Sequence, residues 1–154
     1  MRRRMLPLAG WILVVALIDQ GTAWGARHAL AARSLPIWGQ HFQLRLLYNK
    51  GALLGLGSHE PLLITVVGVI GTALLAIATF RLSEGQWALA TMTGGALGNV
   101  MSRLVFSKVT DFLYVQGYPG IFNLSDVALR LGLIWFLVDM LVTQSKKRRC
   151  AHAG

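Results

Sequence analysis

Residues 61–80 constrain this chain more than any other stretch, because they carry no charge over the full length of a membrane span. At about 1.5 Å rise per residue, a helix of that length crosses the hydrocarbon core of a bilayer. Lipid offers no partner to a backbone amide or carbonyl, so such a segment has to be helical. Pro61 suits its first turn, where no amide hydrogen is needed. Only 14% of the 154 residues are charged and mean hydropathy is +0.55, whereas soluble domains carry about 25% charged residues. The chain is therefore expected to be one integral membrane domain, residues 1–154.

The net charge of +9 has its own pattern. Arg2, Arg3 and Arg4 open the chain, and Lys146, Lys147, Arg148 and Arg149 lie near its end. Basic clusters flanking apolar runs set membrane orientation, with the basic side in the cytoplasm. They are not interleaved with a soluble aromatic platform, which argues against nucleic acid. The single cysteine, Cys150, has no internal partner for a disulfide. His28, His41, His59 and His152 share no ligand spacing, so no metal and no cofactor is implied.

Four spans are predicted, at about 5–26, 61–80, 87–106 and 121–142. The first follows a basic start and also fits a cleaved signal peptide. Asp19-Gln20 inside the run favours a retained helix, because an acid at membrane depth needs a function. Residues 27–60 are the one long polar stretch, broken by Pro36, Gly39, Gly51, Gly55 and Gly57. Alternating Phe42, Leu44 and Leu46 predict a strand over about 40–48, part of a small sheet on the membrane surface. Residues 107–120 read as a polar connection.

With four spans and both termini in the cytoplasm, Asp19, Asn49, Asn99, Ser102, Arg103, Asn123 and Asp126 all fall near the outer leaflet. Asp19 stands about 21 Å above Met5 on that count, and Ser102 at a similar height above Trp87. Gly94 and Gly98 have the spacing that lets helices approach closely.

Five short motifs recur in this order: Asp19-Gln20-Gly21-Thr22, Asn49-Lys50-Gly51-Ala52, Gly94-Gly95-Ala96-Leu97-Gly98-Asn99, Val109-Thr110-Asp111-Phe112 and Phe122-Asn123-Leu124-Ser125-Asp126. Together they resemble signal peptidase II, the membrane aspartic protease that removes signal peptides from lipid-modified prolipoproteins. The resemblance covers nearly the whole chain. It implies an all-α membrane protein, a four-helix bundle with a small extracytoplasmic β-cradle and a short amphipathic segment. It also implies residence in a bacterial cytoplasmic (inner) membrane, with prolipoprotein signal peptides and membrane lipids as partners. A monomer is expected.

The chain departs from that pattern in three places. Ser102 stands where the resemblance implies the first catalytic aspartate, leaving Asp126 as the surviving acid–base group. Arg130, four residues after Asp126, is expected to pair with it and modulate it; the rival reading sends its guanidinium to the headgroups. Ala23 replaces a family lysine. Asp19, Asn49, Gly51, Asn99, Arg103 and Asn123 are the expected substrate-binding residues. Two functions follow: a peptidase with impaired or altered chemistry, or a non-catalytic pseudoprotease that binds lipoprotein precursors. A small transporter or channel subunit is the third reading; it lacks a visible inverted repeat.

The topology is testable directly. A reporter fused after Gly154 is expected to be cytoplasmic and one inserted near Gly57 external, as read by protease protection of intact spheroplasts.

Overall fold

The computed structural model describes residues 2–51 and 59–152. The glycine-rich return holding Gly55 and Gly57, and Ala52 of the second motif, lie outside the described residues, as do the side chains of Arg2, Arg3, Arg4, Cys150 and His152.

Four long helices form, in the order α1 (Arg2–Ala29), α2 (Pro61–Arg81), α3 (Gln86–Phe106) and α4 (Leu124–His152). Two of them, over Met5–Ala29 and Pro61–Arg81, are long and apolar enough to cross a membrane. Pro61 does occupy the first turn of α2. Thr79 is the one buried residue of α2, while Leu62, Leu63, Leu74 and Ile77 are exposed, as suits a helix facing lipid. The α3 helix is the centre of the bundle, packed against α1, α2 and α4.

Small residues make that position possible. A Cβ on Gly94 would come within 2.8 Å of the Ile12 carbonyl oxygen on α1. A Cβ on Gly98 would collide with Ser125 Oγ on α4 and lie 2.8 Å from Asp19 Oδ2 on α1. In lipid the hydrophobic effect does not drive helices together, so close packing and buried polar contacts have to. The buried Thr79 and Thr93 hydroxyls meet at 3.0 Å between α2 and α3 and are such a contact. At the other end of the bundle, Lys147 Nζ reaches Glu84 Oε1 at 2.8 Å; this is the one ion pair among the described residues.

The predicted strand is present as β2 (Phe42–Asn49), and it belongs to a larger sheet. Strands β1 (Leu35–Trp38), β2, β3 (Val109–Val115) and β4 (Ile121–Phe122) are antiparallel neighbours in that order. The region expected to be a polar connection therefore holds β3, and the last helix starts three residues later than expected because Ile121 and Phe122 are strand. Val109, Thr110, Asp111 and Phe112 are all buried, so β3 shows none of the inside–outside alternation that marks a half-exposed strand. Among the described residues, the short amphipathic segment implied by the resemblance does not occur as a separate helix.

The pairing of β2 with β3 contains a bulge. Leu44 faces Leu113, but Leu47 faces Asp111, so one extra residue lies in β2. Without it, Leu46 and Tyr48 would share a face with Asp111, and Asn49 would point the opposite way. The bulge is what brings Asn49 and Asp111 to one side of the sheet.

Gly98→Ala is expected to lower stability by about 1–3 kcal/mol, because the added methyl collides with two helices at once. Gly25→Ala, where a Cβ meets nothing within 4 Å, is expected to be neutral or slightly stabilising. Thermal unfolding of the two variants in detergent separates them.

Candidate active site

A cavity of about 500 Å³ opens between α2, α3, α4 and the sheet. One wall is apolar and comes largely from α2, with Ile64, Val67 and Leu75. The opposite wall carries Asn49, Asn99, Arg103, Asp111, Asn123 and Asp126. A site of mostly apolar surface with a few convergent polar groups is the form that binding and catalytic pockets usually take.

The polar wall is built around Asn123, which is 1% exposed. It immediately precedes α4 and acts as its N-cap. Its carbonyl oxygen accepts the Val127 amide at 3.3 Å, and its side-chain Oδ1 accepts the Asp126 amide at 2.8 Å. Its Nδ2 donates to Asp111 Oδ1 at 2.8 Å and to Asn99 Oδ1 at 3.1 Å. Asn99 Nδ2 in turn donates to Asp126 Oδ1 at 3.1 Å. One side chain thus contacts the Asp111 carboxylate, fixes the backbone of Asp126, and orients the asparagine that holds the Asp126 carboxylate.

Asp111 is 1% exposed and lies on β3. Its second oxygen, Oδ2, accepts a hydrogen bond from Asn49 Nδ2 at 3.1 Å. Burial pushes its carboxyl up to about 6, and the nearby Asp126 charge adds to the rise. Hydrogen bonds from Asn49 and Asn123 and the charge of Arg103 work the other way. Two carboxylates therefore line one cavity, and one of them is poised to keep a proton close to neutral pH.

Arg103 closes the site on the side of the β2–α2 connection. Its Nη2 donates to the Gly51 carbonyl at 2.8 Å and its Nη1 to the Asn99 carbonyl at 3.4 Å. Gly51 is fixed further by Asn49, whose Oδ1 accepts the Gly51 amide at 2.9 Å. Asn49, Asn99, Arg103 and Asn123 thus meet at one wall, and Asn49 and Arg103 together hold Gly51.

Three residues fall elsewhere than expected. Ser102 is 1% exposed and is not among the residues lining the cavity. It lies on α3 about 60° around the helix from Asn99, turned toward α1, and its Oγ contacts Gln20 Nε2 at 3.0 Å. Asp19 is also away from the cavity; its Oδ1 accepts the Ser125 amide in the first turn of α4 at 2.8 Å. Arg130 does line the cavity but makes no ion pair with Asp126. Its guanidinium lies over the rings of Phe122 and Tyr118, at 5.2 and 5.3 Å from their centroids. The aromatic faces offer the guanidinium a partner of their own. Asp111, read from sequence only as part of a motif, is a second buried carboxyl on the cavity wall that the expected site residues did not include. Its signal is an acid inside an otherwise apolar strand, Val109–Val115.

Asn123→Ala removes a cap and a donor to Asp111 together. It is expected to cost about 1–2 kcal/mol from the cap alone, and more from the buried acceptor left unpaired. Chemical denaturation of the variant beside Asn99→Ala, which leaves the cap intact, checks the difference.

Comparison with known proteins gives a consistent result. The sequence profile of the family described as "Signal peptidase (SPase) II" matches residues 11–142. A lipoprotein signal peptidase of Janthinobacterium sp. (strain Marseille) is 34% identical, with 89% of each chain covered. One from Pelotomaculum thermopropionicum is also 34% identical, over 90% of this chain and 95% of its own. A bacterial membrane enzyme solved by the in meso method at 2.3 Å resolution has the same fold. Its TM-score is 0.81 at 22% identity, over 93% of this chain and 92% of that one.

Proposed function

The chain belongs to the signal peptidase II family, and we propose that it is an aspartic endopeptidase that cleaves the signal peptides of lipid-modified prolipoproteins, with Asp111 and Asp126 as its catalytic pair. The observation that carries this reading is that both carboxylates line one cavity and are linked through Asn123 and Asn99. Ser102 then replaces no catalytic acid, because its hydroxyl is engaged by Gln20 behind the cavity. The impaired chemistry expected from Ser102 gives way to an intact pair.

A carboxylate pair of this kind shares one proton. Asp111, whose carboxyl is raised to about 6 by burial, is the member that holds it. Asp126 takes a proton from the attacking water as the water oxygen bonds to the scissile carbonyl carbon. Asp111 gives its proton to the carbonyl oxygen, forming a neutral tetrahedral diol. When the diol collapses, the carbon–nitrogen bond breaks and the proton on Asp126 passes to the leaving amine. The proton from the diol returns to Asp111. Each such proton transfer contributes typically about 10²–10⁴ in rate.

The cavity suits that substrate class. The apolar wall of α2 faces the polar wall, so a lipid-bearing, hydrophobic segment has one side to pack on and a backbone-binding side opposite. Asn49, Gly51, Asn99, Arg103 and Asn123 set the polar side. Arg130, held over Tyr118 and Phe122, guards the edge of the cavity. We take the four helices as four spans of a bacterial cytoplasmic membrane protein, acting as a monomer, with both termini cytoplasmic and the sheet external. The apolar exposed surfaces of α1, α2 and α4 support this.

The test is processing of a diacylated prolipoprotein by the purified protein, followed by gel shift. The parent is expected to cleave; Asp111→Asn and Asp126→Asn are each expected to lose at least about 10³ in kcat while still binding substrate. Full cleavage by either variant would remove that residue from the pair. Binding with no cleavage by the parent would make the chain a non-catalytic precursor binder. On the alkaline side, kcat/KM is expected to fall as pH rises through about 6, as an apparent value of the pair. The same shift has a stability consequence. Because the folded state favours protonated Asp111, that contribution is present below about pH 3.8 and is lost as pH rises through about 6. The parent should therefore lose stability relative to Asp111→Asn between about pH 4 and about pH 7.

A further inference from the structure

Behind the cavity, between α1, α3 and α4, lies a second buried polar cluster. Asp19 Oδ1 accepts the amide of Ser125 at 2.8 Å, and Ser125 directly precedes Asp126. Asp19 Oδ2 accepts Gln20 Nε2 at 3.0 Å. The same Gln20 nitrogen reaches the Gly98 carbonyl at 2.9 Å and Ser102 Oγ at 3.0 Å. The Ser102 hydroxyl points back at Gln20 Oε1, 3.4 Å away. Asp19, Ser102 and Ser125 are all at most 2% exposed.

We propose that Ser102 and Gln20 are positioning residues for the catalytic pair, and that their cluster has donors for one carboxyl group only, so that a second acid at position 102 is tolerated only with a base at position 23. The inference rests on the assignment of Asp111 and Asp126 as that pair.

The first half follows from the hydrogen-bond inventory. A buried carboxyl group has to be satisfied by donors, and the Ser125 amide and Gln20 supply them to Asp19. A primary amide has two hydrogens and one acceptor. Gln20 offers those hydrogens to three acceptors, and its own oxygen faces the Ser102 hydroxyl. Ser102 therefore fixes which way the Gln20 amide is turned, Gln20 holds Asp19, and Asp19 holds the first turn of α4. Asp111 is on β3, a separate element. Any shift of the α4 start moves Asp126 relative to Asp111, and a misplacement of about 1 Å at a reacting group costs about 10²-fold in rate.

The second half follows from charge. A carboxylate at 102 would lose the O–H given to Gln20 Oε1 and set an oxygen against that oxygen. It would also compete with Asp19 for one amide group, two like charges in a site closed to water. A cation could reach both from position 23. That position is four residues after Asp19 and three after Gln20 on one face of α1. Ala23 there is 2% exposed and continues the buried stripe of α1 that holds Ala16 and Asp19.

The experiment measures kcat, KM and thermal stability on one prolipoprotein substrate for Ser102→Ala, Ser102→Thr, Gln20→Met, Ser102→Asp, Ala23→Lys and the Ala23→Lys/Ser102→Asp double variant, with Asp111→Asn as reference. Ser102→Ala and Gln20→Met are expected to lower kcat by about tenfold to 10²-fold with KM little changed. Ser102→Thr, which keeps the hydroxyl, is expected to retain activity. Ser102→Asp alone and Ala23→Lys alone are each expected to lower kcat about 10²-fold, and the double variant to return to within about tenfold of the parent. A rise in kcat for Ser102→Asp alone would make position 102 catalytic and overturn the proposal. So would Ser102→Ala with unchanged kcat, or singles whose effects simply multiply in the double variant. If Asp111→Asn retains cleavage, the catalytic assignment fails instead, and the two failures are distinguished.

Discussion

Burying the Asp111 carboxyl is the constraint on which the rest of the sheet end of the molecule depends. A carboxyl with 1% exposure cannot be left to water, so its oxygens have to be met by protein donors. Two asparagines meet them, Asn49 from β2 and Asn123 from the start of α4. Neither donor is charged. A cation bonded directly to Asp111 would hold it ionised, whereas amides satisfy it and still leave it able to carry a proton. Asn123 also caps α4 through its other side-chain atom. The helix start, the sheet and the paired acids therefore share one residue, and none can move without the others.

The α3 helix has two faces with different tasks. Asn99 and Arg103 look toward the cavity, while Gly94, Gly95, Gly98 and Ser102 meet α1 and α4. Glycine at 98 removes the side chain that would otherwise separate Asp19 from Ser125. The carboxylate of Asp19 then sits at the N-terminal end of α4, where unsatisfied amides and the helix dipole favour a negative group. Close packing and polar satisfaction are one feature here: without the glycines the helices would stand too far apart for the hydrogen bonds to close.

Much of this was legible in the chain. The charge-free run of α2, the basic ends and the five ordered motifs led to a membrane bundle with a small sheet and to the family. The alternation in 42–46 announced β2. The strand β3 stayed hidden because its first four residues are buried on both faces, which erases the period of two. The resemblance assigns Ser102 to the site because it stands, next to Arg103, at the position of an implied catalytic aspartate. Adjacent residues on a helix point about 100° apart, however, so Arg103 lines the cavity and Ser102 faces α1. Arg130 was paired with Asp126 from their i, i+4 spacing alone. Tyr118 and Phe122, brought close by the β3–β4 turn, provide the alternative partner that spacing does not reveal.

The sequence by itself determined the solvent this protein folds in, the number of long helices, and the set of polar residues brought to one end. These depend on hydropathy, length and end charge, which are local or summed properties of the chain. Which carboxylates share one cavity was decided only in the tertiary structure. A one-residue bulge between Leu44 and Leu47 turns Asn49 to the face of Asp111, and the contact of Asp19 with the Ser125 amide fixes where α4, and with it Asp126, begins. Both depend on pairings between residues more than sixty positions apart. No local pattern in the chain records such a pairing, because the energy that selects it exists only once the elements are packed.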